Sequence, residues 1–167
     1  VHRPQPQAPA AARLAMLEAA IAGQPGFRTD PRELERPGAS YSYDTLNSLR
    51  AEFGPDLPIC LLVGADAFQG FLGWHRPRAI LGLAHLVVMR RPGTADALAP
   101  GLASLVAAHA ADGPADLSGR PAGRILMQDV TQMDIAATRV RDLLRQGASV
   151  RYLVPDPVLE IILASNV

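Results

Sequence analysis

The sequence predicts an α/β fold, a doubly wound and mostly parallel sheet with helices on both faces. Three observations carry that prediction. The runs "ICLLV" (59–63) and "HLVVM" (85–89) are apolar without alternation, as strands covered on both faces are. Stretches with helical spacing of apolar residues precede, separate and follow the strands. Glycines and prolines punctuate the changes between the two patterns. Strands alternating with helices imply parallel pairing.

The elements follow in chain order. Leu14, Leu17 and Ile21 stand at i, i+3 and i+7, and Gly23 ends that helix. "YSYDTLNSLRAEFG" repeats the spacing with Leu46, Leu49 and Phe53 and stops at Gly54. The first strand runs 59–63. A short amphipathic piece at 78–83 leads into the second strand, 85–89, and "RPG" at 91–93 turns the chain. The segment 94–122, rich in Ala, Gly, Pro and Leu, reads as a surface excursion with room for a helix in "ALAPGLASLVAAHAADG". His109 lies there, with an exposed structural role as its default. "RILMQDV" (124–130) is the third strand. "TRVRDLLRQG" is a helix with Val140, Leu143 and Leu144 on one face and Gly147 at its end. In "DPVLEIIL", Asp156 suits the cap, Pro157 the first turn, and Val158, Ile161 and Ile162 the inner face.

Composition bounds the function. A chain of 167 residues reads as one domain, 1–167, able to bury a core. Hydrophobic residues at 49% against 19% charged ones mark it as globular rather than disordered. Lys and Arg balance Asp and Glu at 16 each, which argues against a dedicated nucleic-acid or membrane-surface binder. A small anionic ligand needs only a few placed cations and stays open. One cysteine, Cys60, permits no disulfide framework, which suits the cytoplasm, and its place in an apolar run suits a small core residue. No apolar stretch is long enough to span a bilayer.

Three constellations bear chemistry. The strand at 59–63 ends in Gly64-x-Asp66, and the carboxyl ends of such strands line ligand crevices. Glycine admits close backbone approach, and Asp66 can accept hydrogen bonds from ribose hydroxyls or an amide, hold a metal, or merely cap the next helix. The sole tryptophan, Trp74, with His75 in the polar string "GWHRPR", is either a core residue or a platform for a heteroaromatic ring. "DIAATRVRDLL" opens a helix whose free N–H groups, with Thr138, Arg139 and Arg141, suit phosphate. The plainer reading is a capped surface helix with solvated arginines. "RPGASYSYDTL" gathers the hydroxyls of Ser40, Ser42 and Thr45 around Tyr41, either as a binding group or as a capping arrangement with Ser42 at the N-cap.

The three together, in this order, resemble the bacterial nicotinate-nucleotide adenylyltransferases of the nucleotidyltransferase superfamily. "HRPQP" (2–6), "ARLAMLEAAI", "SYSYDTL", "VGADAFQGFLGWH", "HLVVMRRPG", "IAATRVRDLL" and "LVPDPVLEII" are each similar to a stretch of that family, nearly end to end. The resemblance implies a Rossmann-like domain that transfers the adenylyl group of ATP, accompanied by Mg²⁺, to nicotinic acid mononucleotide, with release of pyrophosphate in NAD biosynthesis. Adenylyl transfer to another phosphorylated acceptor, such as pantetheine phosphate, and a non-catalytic nucleotide-binding protein are the alternatives. A homo-oligomer is left open.

The same resemblance implies roles for residues. Trp74 would stack on the pyridine ring. The N–H groups near Ser42 and His75 would receive the nicotinate carboxylate, with Ser40, Tyr41 and Thr45 lining the pocket. Gly64 and Asp66 would contact ribose and the adenine side. Ile135, Thr138 and Arg141 would set a helix start on the ATP phosphates, and Arg3 would reach them too. Arg13 stands between a phosphate contact and an ion pair. Ala136 replaces a family serine, which makes Asp134 the expected N-cap. The family's histidine-bearing loop, "GGxFDPxHxGH", does not appear in the sequence, and a central strand carrying it is expected to precede Val1.

Overall fold

Three parallel strands form the sheet that the apolar runs predict. They are β1 Cys60–Gly64, β2 His85–Arg90 and β3 Ile125–Asp129, in the order β1-β2-β3. The computed structural model describes residues 8–90, 97–131, 133 and 135–165. His2, Arg3, Asp134 and the "RPG" turn lie outside the described residues. The chain divides into two compact units, Ser40–Gln132 and a second made of Val1–Ala39 with Met133–Val167.

The first of these holds the sheet. Its helices are α3 Ser42–Phe53, α4 Ala65–Gln69, α5 Pro77–Leu83, α6 Pro100–His109 and α7 Ala115–Ser118, with a 3₁₀ turn at Phe71–Gly73. Pairing of Leu61 with Leu86 and Leu86 with Ile125 fixes the register. Side chains alternate along a strand, so Leu61, Val63, Leu86, Val88, Ile125 and Met127 share one face. That face builds the core with Leu46, Phe68, Phe71, Ile80 and Leu81.

The other face corrects one expectation. β1 was expected to be covered on both sides, yet Leu62 is 60% exposed and Cys60 is exposed rather than a core residue. β1 is an edge strand among the described residues, and an apolar run does not say which of its faces has a partner. The segment read as a surface excursion is also partly a packed layer. Leu102 and Leu117 are buried, and Leu98, Leu105 and Val106 pack against the core. His109 is half-buried there, and its Nδ1–H donates to the Gly123 carbonyl at 2.9 Å.

His85 is the buried polar residue of this core. Its Nδ1 accepts the Arg124 N–H at 3.1 Å, so its Nε2–H donates to the Arg120 carbonyl, at 2.9 Å. Both ring nitrogens are thus committed to backbone. Arg50, near the end of α3, does more. Its Nη1 donates to the carbonyls of Gly54, Pro55 and Leu57, and its Nη2 to those of Leu83 and Pro121. One guanidinium therefore ties the exit of α3, the approach to β1, the end of α5 and the turn before β3. Gly54 ends α3 with φ +84°, a region that glycine enters at little cost.

The second unit contains α1 Ala10–Ile21, α2 Arg32–Glu35, α8 Ala137–Arg145 and α9 Asp156–Ser165, and α1 packs against α9. On α9, Val158 is buried and Ile161 and Ile162 are half-buried, as the spacing predicts. Asp156 is the first residue of the helix rather than a flanking cap, and the Pro155 carbonyl accepts the N–H groups of Val158 and Leu159. On α1, Leu14 and Ile21 are half-buried, but Leu17 is 51% exposed.

Arg50→Met keeps the aliphatic stem and removes all five donations. Hydrogen bonds to a charged group are worth about 1.5–3 kcal/mol, and carbonyls left dry add to the loss. We expect a drop in unfolding free energy of about 2–4 kcal/mol, read by urea denaturation. A change under about 0.5 kcal/mol would show that solvent replaces the guanidinium at every carbonyl.

Candidate functional site

β1 ends at Gly64, and α4 begins at the next residue. Gly64 has φ −68° and ψ 148°, a conformation open to any residue. A Cβ built there meets nothing within 4 Å. The absent side chain therefore serves neither the backbone nor the packing; it leaves room in front of the strand end. Asp66 is exposed in the first turn of α4, and Gly64, not Asp66, occupies the cap position. At the same edge of the sheet, Arg90 Nε donates to Asp129 Oδ1 at 2.5 Å across β2 and β3. Among the described residues, no three His, Cys, Asp or Glu side chains cluster as metal ligands do.

The start of α3 lies beside the Trp74–His75 segment. Tyr41 occupies the cap position and Ser42 is the first helical residue, so Ser42 is not the N-cap that its hydroxyl suggested. The Tyr41 carbonyl accepts the N–H groups of Asp44 and Thr45 at 3.0 and 3.2 Å. Ser42 and Tyr43 are left with the first, outward N–H groups of the helix. The Tyr41 ring stacks on the His75 imidazole, with centroids 4.5 Å apart and planes at 30°. Tyr43 meets the same imidazole edge to face at 6.0 Å, and the Arg76 guanidinium lies 4.9 Å from the Tyr43 centroid. Arg76 itself has φ +53°, left-handed for a non-glycine residue, just before Pro77 opens α5.

Trp74 keeps contact with the core. It is half-buried, packs against the core and meets Phe71 edge to face at 5.4 Å. Its N–H closes the 3₁₀ turn on the Phe71 carbonyl at 3.0 Å. The structure thus brings Tyr41, Ser42, Trp74 and His75 into one neighbourhood. Sequence reading passed over Tyr43 and Arg76, although the pre-proline position of Arg76 marks it as conformationally special.

In the other unit, α8 begins at Ala137 with Ala136 at the cap, and no side chain caps it. Asp134 is two residues too early for the cap position assigned to it. Ile135 is 37% exposed, Thr138 is exposed in the first turn, and Arg141 Nη2 donates to Thr138 Oγ1 at 3.2 Å. Val140 is buried and orients the helix, so the Thr138–Arg141 pair lies off its inner face.

The cytidylyltransferase-like family profile matches residues 1–143. A protein of Methylococcus capsulatus named "Probable nicotinate-nucleotide adenylyltransferase" is 47% identical over 162 residues, covering 96% of this chain and 77% of its own length. The chain belongs to the cytidylyltransferase-like family, among the nicotinate-nucleotide adenylyltransferases. Like-named proteins of Marinobacter nauticus and Pseudomonas aeruginosa are each 45% identical, over 163 and 165 residues. The fold is similar to that of the solved Plasmodium falciparum nicotinic acid mononucleotide adenylyltransferase, with a TM-score of 0.51 at 11% identity. That match covers 78% of this nicotinate-nucleotide adenylyltransferase chain and 59% of the other.

Gly64→Ala separates room for a ligand from folding. With ordinary dihedrals and open space, unfolding free energy should stay within about 0.5 kcal/mol of the parent or rise, by denaturant titration. A ligand approaching the strand end would meet the new methyl, so ATP affinity should fall at least about fivefold, by calorimetric titration. Unchanged affinity would take Gly64 out of the site.

Proposed function

We infer that the protein joins the adenylyl group of ATP to nicotinic acid mononucleotide, giving deamido-NAD and pyrophosphate. The observation that carries this reading is the match of nearly the whole chain, at about 45% identity, to relatives bearing that activity in their names. In the reaction, a 5′-phosphate oxygen of the mononucleotide forms the new bond to the α-phosphorus. The bond from that phosphorus to the bridging oxygen of the β-phosphate breaks, and pyrophosphate leaves with its electron pair. No covalent enzyme intermediate is required. The protein's task is alignment of attacking and leaving oxygens and balance of charge. Mg²⁺ enters on the triphosphate as part of the substrate.

On this reading the domain is Rossmann-like and doubly wound, a single nucleotidyltransferase domain. Trp74 offers its flat face to the pyridine ring. The N–H groups of Ser42 and His75 receive the carboxylate, and Ser40, Tyr41 and Thr45 line the same pocket. Gly64 and Asp66 take ribose and the adenine side. Ile135, Thr138 and Arg141 serve the ATP phosphates, where the uncapped start of α8 keeps its donors available. Arg3 is assigned to phosphate by resemblance alone.

Trp74→Ala should weaken binding of nicotinic acid mononucleotide while leaving ATP binding nearly unchanged. Base–aromatic stacking is worth about 1–3 kcal/mol per base, so the loss should be about five- to a hundredfold. Losing the edge-to-face contact with Phe71 should also cost about 0.5–1.5 kcal/mol of stability, and Trp74→Phe should return most of it. Calorimetric titration of both ligands, with a urea curve for each variant, checks this. An unchanged mononucleotide constant makes Trp74 a core residue alone.

The choice of acid over amide follows from the donors. Two N–H groups facing a carboxylate make charge-assisted bonds, whereas a carboxamide turns its NH₂ toward one of them. An unmatched polar group in a closed site costs about 1–3 kcal/mol. Steady-state assays at saturating ATP should give kcat/KM at least about tenfold higher for nicotinic acid mononucleotide than for its amide. Equal constants would remove the acid-selecting pair. Activity with pantetheine phosphate in place of both would overturn the acceptor.

A further inference from the structure

We propose that His75 is a positioning residue whose imidazole, held between the rings of Tyr41 and Tyr43, fixes the Trp74–His75 peptide against the start of α3. The inference rests on the adenylyl-transfer reading and names what sets the acceptor pocket. The two donor segments are 33 positions apart in sequence, from Ser42 to His75. Neither backbone holds the other: no described carbonyl of one segment accepts an N–H of the other. Beside the packing of α3 on α5, a column of side chains joins them. Tyr41 stacks on His75 at 4.5 Å, Tyr43 meets His75 at 6.0 Å, and Arg76 covers Tyr43 at 4.9 Å.

Three features mark the column as local in effect. His75 and Arg76 are exposed, while Tyr41 and Tyr43 are half-buried and Tyr43 packs against the core, so the imidazole lies at the solvent side of the stack. Arg76 keeps a left-handed φ of +53° next to it, and strain retained in a non-glycine residue marks a position that its surroundings over-determine. The rings belong to the residues at and beside the proposed donors, so a shift of the stack moves those N–H groups directly. Removing the imidazole should therefore loosen the grip on the acceptor and leave the fold and the ATP contacts nearly untouched.

The test compares His75→Ala and His75→Phe with the parent protein. KM for each substrate and kcat are measured, together with acceptor affinity from fluorescence of Trp74, the sole tryptophan. An aromatic contact of this kind changes affinity by about three- to tenfold. His75→Ala should raise KM and the dissociation constant for nicotinic acid mononucleotide by that factor, with KM for ATP within about twofold. His75→Phe, which keeps a ring for the stack, should restore both acceptor constants to within about twofold of the parent. An unchanged acceptor constant in His75→Ala, equal rises for both substrates, or a Phe variant as impaired as the Ala variant would each overturn the proposal. Should His75→Ala fail to fold, the stack is part of the general scaffold and the proposal fails. A parent protein that binds no pyridine mononucleotide overturns the function reading as well. One that binds it normally while His75→Ala does too overturns this inference alone.

Discussion

The sheet-bearing unit is held at one point by Arg50. Its guanidinium reaches carbonyls of Gly54, Pro55, Leu57, Leu83 and Pro121, which belong to segments far apart in sequence. These segments lead into or out of α3, β1, α5 and β3. An arginine suits the task because its fork carries five donors and stays charged at any physiological pH. His85 adds a second polar tie nearby, from β2 to Arg120 and Arg124. Where the strands enter the sheet, order is therefore set by side-chain-to-backbone bonds as well as by apolar packing. At the opposite ends of the strands lie Gly64 and Asp66, and β2 and β3 are tied there by Arg90 and Asp129.

Several arginines are committed within the protein. Arg50 donates to five carbonyls and Arg124 Nη1 to that of Ala110, and Arg90 and Arg145 pair with Asp129 and Asp142. The groups proposed to meet substrate are instead backbone N–H groups at helix starts, an aromatic face and an empty space in front of Gly64. Backbone donors cost no side-chain entropy to hold, provided the segments carrying them are fixed. At Ser42 and His75 the proposed fixing is by rings. Aromatic side chains have few rotatable bonds and present broad surfaces, so they set position at low entropic cost.

Ala136, where the family resemblance implies a serine, falls into the same pattern. A serine at the cap would take one of the first N–H groups of α8 for itself. Ala136 leaves those donors uncommitted, and the Thr138–Arg141 bond holds the hydroxyl and the guanidinium together beside them. The helix start proposed for phosphate thus keeps free donors with a hydroxyl and a cation beside them.

The sequence by itself determined the alternation of strands and helices, the parallel pairing, and the motif order that marks the family. Those are local or short-range signals: apolar spacing on α3, α8 and α9, and unbroken apolar runs in the strands. It also picked out Tyr41, Ser42, Trp74 and His75, which the tertiary structure then brings together. It misplaced the caps at Ser42, Asp134 and Asp156 by one or two residues, because a hydroxyl or carboxylate near a helix start suits several adjacent positions. It buried Cys60 and covered both faces of β1, because an apolar run records a tendency to be covered without recording by what. It took 94–122 for a surface excursion with room for a helix; α6 fills that room, and Leu102 and Leu117 are buried. Tertiary structure alone decided the column of Tyr41, His75, Tyr43 and Arg76 and the five-carbonyl grasp of Arg50. The ring stack on His75 and the Arg50 bonds to Leu83 and Pro121 join groups more than thirty positions apart, and such distances leave no periodicity in a sequence to be read.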